Sequence, residues 1–136
     1  MINKLLKIGF KKVGKWIFQD NSLEYLLDIE RNNINFLYAF IVDNNIKYIG
    51  KSTQTIQKRF NGYKNPGKDQ RTNIKNNKKL IDELNKNKEI DIYIFIDSGL
   101  LLYGSFHINL AAGLEDSLIK QTNPEWNNLK SNLDKK

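Results

Sequence analysis

The chain has 136 residues, a net charge of +7 and a pI near 9.5. That length fits one domain with one modest core, and the charge points toward a polyanionic partner. No cysteine is present and there is a single histidine, His107. Disulfides, thiolate metal sites and a multi-histidine zinc site are therefore excluded. No apolar run approaches the ~20 residues needed to span a bilayer. The basic N-terminal stretch MINKLLKIGFKKVGKW is too interrupted by lysine for a signal peptide. The expected location is cytoplasmic, with no membrane partner.

Residues 1–11 read as a short basic helix with Leu5, Leu6, Ile8 and Phe10 on its apolar side. Lys15–Phe18 and Leu23–Leu27 flank Gln19-Asp20-Asn21-Ser22 and read as a hairpin, although the second run also admits a helix. An Asx-rich stretch from Arg31 to Asn35 leads into FLYAFIVDNNIKYIG at residues 36–50. Two apolar runs joined by Asp43-Asn44-Asn45 predict a second hairpin, because Asp and Asn tolerate the backbone angles of a tight turn. Pairing across it can bring Tyr38 and Tyr48 to one face.

Ile56, Phe60 and Tyr63 follow helical spacing, with Thr53 or Ser52 as the expected N-cap. Asn65-Pro66-Gly67-Lys68 ends that helix, and a second helix is expected over residues 73–87 through Ile74, Leu80, Ile81 and Leu84. Ile90–Ile96 is β-branched and reads as a buried third strand of the core. A short strand is expected within Leu100–His107, and a last helix over Ala111–Gln121, ended at Asn123-Pro124. The expected fold is a small α/β (α+β) domain. Its central antiparallel three-stranded sheet is flanked by helices over residues 36–136. Residues 1–35 form an N-terminal extension on that core or at an oligomer interface.

The ordered motifs resemble those of the GIY-YIG endonucleases, in the restriction-enzyme and phage-endonuclease branch. The signature stands here as Phe36-Leu37-Tyr38 and Tyr48-Ile49-Gly50. The family's helix arginine matches Arg59, its later-helix glutamate matches Glu115, and its asparagine matches Asn127, with Asn123 as the alternative. Glu115 and Asn127 are twelve residues apart, which resembles the spacing of that branch. Tyr63 matches a position that members fill with His or Tyr. Phe36 and Leu37 depart from the Gly-Ile of the first motif, and neither change removes a reactive group. The resemblance runs over residues 36–127 and implies a DNA endonuclease with some sequence preference. It also implies a homodimer or homotetramer, because one such site cuts one strand of a duplex.

The chemistry suits these residue types. A carboxylate at Glu115 can hold Mg²⁺, with Mn²⁺ a substitute. The guanidinium of Arg59 can neutralise a phosphate bidentately. Tyr38 is the first candidate for activating water, with Tyr48 positioning it, and the reverse assignment stands open. Tyr63 lies one turn after Arg59 and can bind phosphate or relay a proton. Asn127 can fix geometry by hydrogen bonding across the site, and Gly50 permits close approach. Lys51, Lys64, Lys68, Arg71, Lys75, Lys78 and Lys79 are expected against DNA phosphates, and Gln70 and Asn73 at base edges.

Two readings from other classes accompany this one. A non-catalytic DNA-binding module on the same fold would keep the basic surface without cleavage. A membrane-surface or RNA-binding protein is motivated only by the N-terminal lysines and the pI. His107 is expected to be structural or on the surface.

Overall fold

A computed structural model describes residues 1–127. Five strands form one antiparallel sheet in the order β2-β1-β5-β3-β4. They are β1 (Lys11–Gln19), β2 (Ser22–Leu27), β3 (Phe36–Val42), β4 (Asn45–Ser52) and β5 (Ile90–Ile96). Both hairpin turns are two-residue loops in which each central residue has positive φ: Asp20 and Asn21 at 53° and 60°, Asp43 and Asn44 at 52° and 64°. That is the primed turn geometry whose twist matches the strands it joins, and Asx residues adopt it at least cost after glycine.

The expected three-stranded sheet is the β4-β3-β5 part of this larger one. The N-terminal hairpin is no appendage to it, because β1 pairs with β5 from Lys11↔Ile94 to Trp16↔Ile90. An uncovered β5 edge would leave a row of unpaired backbone groups beside buried isoleucines, and β1 satisfies it. Gly14 lies at an irregularity in that pairing, where a Cβ would stand 1.8 Å from the carbonyl oxygen of Leu26.

Helices cover both faces. On one side, α2 (Ile56–Lys64) and α3 (Arg71–Asn85) pack Ile56, Phe60, Tyr63 and Leu80 against Trp16, Phe36, Tyr38 and Phe40. On the other, α1 (Ile2–Lys7) and α4 (Leu110–Thr122) bring Leu5, Ala111, Leu114 and Leu118 onto Leu37, Ala39, Ile41 and Ile49. Every residue of β3 is therefore buried, which explains its unbroken apolar run. Leu5 and Phe10 are buried, whereas Leu6 and Ile8 of the same N-terminal segment are exposed. No described helix is long and apolar enough to cross a membrane.

The helix boundaries differ in instructive ways from expectation. Helix α2 is capped by Thr55, whose hydroxyl accepts from Lys58 N at 3.1 Å, rather than by Thr53 or Ser52. The carbonyls of Asn33 and Arg31 accept from Ile56 N and Gln57 N, so the Asx-rich stretch closes the free end of this helix. Helix α3 starts two residues early, and Asn73 and Asn76 are buried on it while Ile74 is exposed. The 100–107 segment is a small hairpin, β6 (Leu102–Tyr103) with β7 (Phe106–His107). Asn123 ends α4 in the left-handed conformation with Pro124 after it, as expected.

Candidate active site

Two strands and two helices build the site around Arg59. Tyr38 on β3 lies opposite Gly50 on β4, and Phe40 lies opposite Tyr48, so both tyrosines project from the α2/α3 face. Their ring centroids are 6.1 Å apart. A Cβ on Gly50 would stand 2.5 Å from the Cζ and hydroxyl oxygen of Tyr38. The space that glycine leaves is thus filled by the Tyr38 ring, which lies across β4 toward the sheet edge.

Helix α2 presents Arg59 and Tyr63 to that ring, one turn apart. Arg59 Nε donates to the Tyr38 hydroxyl at 3.0 Å, and the Tyr38 and Tyr63 hydroxyls share a proton-bearing contact at 2.6 Å. One terminal nitrogen of Arg59 donates to Tyr63. The other donates to Asn73 Oδ1 on α3 at 2.8 Å. These bonds use three of the five guanidinium N–H groups. One N–H remains on each terminal nitrogen, available to an oxyanion acceptor. The expected base-edge residues Asn73 and Gln70 point into this network. Asn73 is buried, its Nδ2 donates to Gln70 Oε1 at 3.0 Å, and that oxygen also accepts from Gly67 N at 2.9 Å.

Burial pushes the Tyr38 phenol far above the ordinary tyrosine range and Tyr48 adds to the rise, while Arg59 and the Tyr63 bond pull it down. Tyr63 is raised too, first by burial and then by its tyrosine neighbours. Burial opposes the charge on Arg59, yet the surrounding phenols outweigh it and hold the guanidinium above its usual value. Tyr48 sits at the rim, 9% exposed, whereas Tyr38 and Tyr63 are fully enclosed.

The outer edge of β4 holds the other two expected site residues, Asn127 and Glu115, through the backbone of Ile49 and Lys51 and not through the Arg59 cluster. Asn127, in the 3-10 turn Glu125–Asn127, accepts from Ile49 N and donates to Ile49 O, each at 2.8 Å. Its amide thereby replaces a neighbouring strand. Two residues along the same edge, the backbone N–H of Lys51 bonds to the Glu115 carboxylate. The ammonium of Lys51 is 3.9 Å from Glu115. Burial raises the Glu115 pKa, with Lys51 partly offsetting it. Lys47 ties the 3-10 turn to β4 through Glu125 at 2.7 Å.

Glu115 fits a divalent cation. Its half-buried carboxylate holds no short ion pair, and Mg²⁺ is commonly bound by one or two carboxylates with waters and substrate phosphate completing the shell. Among the described residues no group of three acidic or histidine side chains forms a closed metal cage.

Two solved structures share this fold. A mutant of bacteriophage T4 EndoII superposes with a TM-score of 0.71 at 23% identity, over 93% of this chain and 98% of that one. Restriction endonuclease HPY188I in complex with product DNA gives 0.54 at 24%, over 90% of this chain and 80% of that one. At these identities the likeness is one of fold. No family model matches the sequence, and no curated protein matches it.

The expected basic surface divides. Lys64 is paired with Glu24 at 2.8 Å, Lys51 turns to Glu115, and Lys68, Arg71 and Lys78 are exposed. Lys75 and Lys79 are half-exposed on α3, and Lys79 lies close enough to Glu125 to help lower its pKa, behind the larger effect of the Lys47 bond. Sequence reading missed Asp97. Its carboxylate accepts from Gly99 N at 2.9 Å and from Ala111 N at 3.0 Å, which seats the start of the helix that carries Glu115. The signal was Asp-Ser-Gly closing a strand, an Asx-turn pattern.

Proposed function

We propose that this chain is a Mg²⁺-dependent DNA endonuclease of the GIY-YIG class, with some sequence preference. The observation that carries the reading is the Arg59 cluster. One guanidinium is held by Tyr38, Tyr63 and Asn73 with an N–H left on each terminal nitrogen, in a domain whose β4 edge bears Glu115. Both fold neighbours are, by name, endonucleases, and one was solved with product DNA.

In this reading Arg59 binds the scissile phosphate through its two remaining N–H groups. Tyr38, once its hydroxyl has lost a proton to solvent, takes as phenolate the proton of the attacking water, whose oxygen bonds to phosphorus as the P–O3′ bond breaks and the departing oxygen takes a proton from solvent. Arg59 and Tyr63 both favour the phenolate by charge or hydrogen bonding, against the opposing effect of burial. Tyr48 positions the water from the rim. Glu115 holds Mg²⁺, which when bound supplies Lewis-acid stabilisation to the phosphate and departing oxygen. Asn127 fixes the strand edge between them. The exposed basic residues of the 68–79 segment neutralise flanking phosphates. Double-strand cleavage takes two copies, as a homodimer or homotetramer.

The deciding experiment is plasmid cleavage with and without Mg²⁺ by wild type, Arg59→Ala and Glu115→Ala. Nicked or linear product from wild type alone, and only with metal, is the expected result. DNA retardation without cleavage would favour a binding module on this fold. Cleavage that survives in Glu115→Ala would place the metal elsewhere.

A further inference from the structure

The hairpin between β5 and α4 stands outside everything described so far. Residues 100–109 are exposed without interruption, and they include Leu100 at 82%, Tyr103 at 80% and Phe106 at 74%. Buried apolar surface is favourable at about 25 cal/mol per Å², so a run of large apolar side chains left in water is a site for a partner. The ribbon is also well built. Ile108 N donates to Leu101 O at 2.9 Å, and His107 Nδ1 lies 3.1 Å from Gly99 O. Tyr103 is paired directly with Phe106 across Gly104-Ser105, which places both aromatic rings on one face at the tip. At its base, Asp97 bonds to Gly99 N and Ala111 N, and its own N–H donates to Asn35 O. The ribbon therefore projects from a fixed root. Leu110 opens α4, and Glu115 follows five residues on, roughly 8 Å along the helix axis.

We infer that this ribbon is a DNA-contacting element, which lies in a groove of the duplex beside the cleavage centre and sets Tyr103 and Phe106 against the bases. The inference rests on the endonuclease reading and adds to it a surface of its own. Three observations favour DNA over a second copy of the chain. Ten residues are fewer than the 20–30 per side that a stable protein interface uses, while a two-stranded ribbon fits the width of the major groove. Its strands are two residues long, too short to extend a sheet between copies. No charged side chain occurs from Ser98 to Asn109 in a chain of net charge +7. An uncharged tip on a chain of net positive charge complements uncharged bases between phosphates. Aromatic and apolar side chains placed this way stack on bases or wedge between base steps.

The test compares the full chain with its Tyr103→Ser/Phe106→Ser variant on duplex DNA carrying 2-aminopurine at successive positions. Both side chains are exposed, so the variant should keep the wild-type far-ultraviolet circular dichroism and Tm. It should bind duplex at least tenfold more weakly and lose any fluorescence rise that wild type produces. The slope of log affinity against log salt should stay unchanged, since no phosphate contact has been removed. Equal affinity and equal fluorescence in a wild type that cuts DNA would overturn the ribbon's role and leave the endonuclease reading intact. A variant whose only change is a smaller assembly in sedimentation would assign the ribbon to a second copy instead. Failure of wild type to bind or cut duplex would end both readings together.

Discussion

Arg59 illustrates how a single charged side chain is made useful by what surrounds it. Its acceptors are two phenols and an amide, none of which carries full negative charge at neutral pH. A carboxylate in the place of Asn73 would pair with the guanidinium and compete with phosphate. Asn73→Asp is therefore expected to keep the fold and lower cleavage, and Asn73→Ala to lower it about 10–100-fold by releasing one side of the guanidinium. Gel assays of plasmid cleavage read both. Arg59→Lys is expected to lose cleavage by a similar or larger factor, because an ammonium cannot satisfy three fixed acceptors and a phosphate together. The raised pKa of Tyr38 gives a second check. A base that must first lose a tightly held proton is active in only a small fraction of molecules near neutrality. Cleavage should rise about tenfold per pH unit across the neutral and mildly alkaline range. Tyr38→Phe should abolish that slope. If the slope persists there and disappears in Tyr48→Phe, the base is Tyr48.

At the scale of elements, the site depends on an edge strand and on how α4 is seated beside it. Strand β4 has an outer side with no neighbouring strand, yet Asn127 and Glu115 occupy its outward backbone groups at Ile49 and Lys51. Asn127→Ala should leave two polar groups unpaired and destabilise the fold by about 1–3 kcal/mol, measurable by urea unfolding. Gly50→Ala would drive a methyl group into Tyr38. It should cost about 1–3 kcal/mol and impair cleavage more than stability, because the displaced ring is one of Arg59's acceptors. Asp97 acts on α4. Burial opposes its charge, but backbone N–H donors from Ala111, Gly99 and Leu110 outweigh this and hold its pKa below the usual carboxylate range. Its contribution to stability is therefore present above the unfolded-state value and lost as pH falls through the folded one. Asp97→Asn should flatten that acid limb of the stability curve.

For the whole molecule, two buried tyrosines give the opposite limb. Tyr38 and Tyr63 are raised in the fold, so the folded state keeps protons that an unfolded chain releases near pH ~10. Their contribution is complete below that pH and declines above it. Thermal unfolding should show Tm falling from about pH 10 upward, and Tyr63→Phe should reduce the fall. The net charge of +7 predicts duplex binding that weakens steeply with salt. Substituting Lys78 should lower the salt slope by about one phosphate contact. Lys64→Ala should change it little, since Glu24 already engages that ammonium.

Local chemistry wrote much of this fold into the sequence. The two Asx turns, the helical spacing of Ile56, Phe60 and Tyr63, and the stop at Asn123-Pro124 are short-range signals, and each is found where it was expected. Tyr38, Tyr48, Arg59 and Glu115 were singled out by a resemblance to family motifs in matching order and element type. The contact of Tyr38 with Tyr48, Arg59 and Tyr63 was not derivable that way, because it depends on a register and a helix docking that no local pattern encodes. The same holds for the fifth and fourth strands of the sheet. Nothing in Lys11–Leu27 says that β5 is its neighbour, and a pairing across more than seventy residues is decided by which edge is left uncovered. Asn73 and Gln70 show the limit most plainly. By composition they belong to a solvated, basic stretch, and only the packing of α3 on α2 turns Asn73 inward to Arg59, with the exposed Gln70 bonded behind it. Residue types and turns are determined within a few positions of chain, whereas acceptors for a buried guanidinium are supplied by whichever elements the core brings beside it.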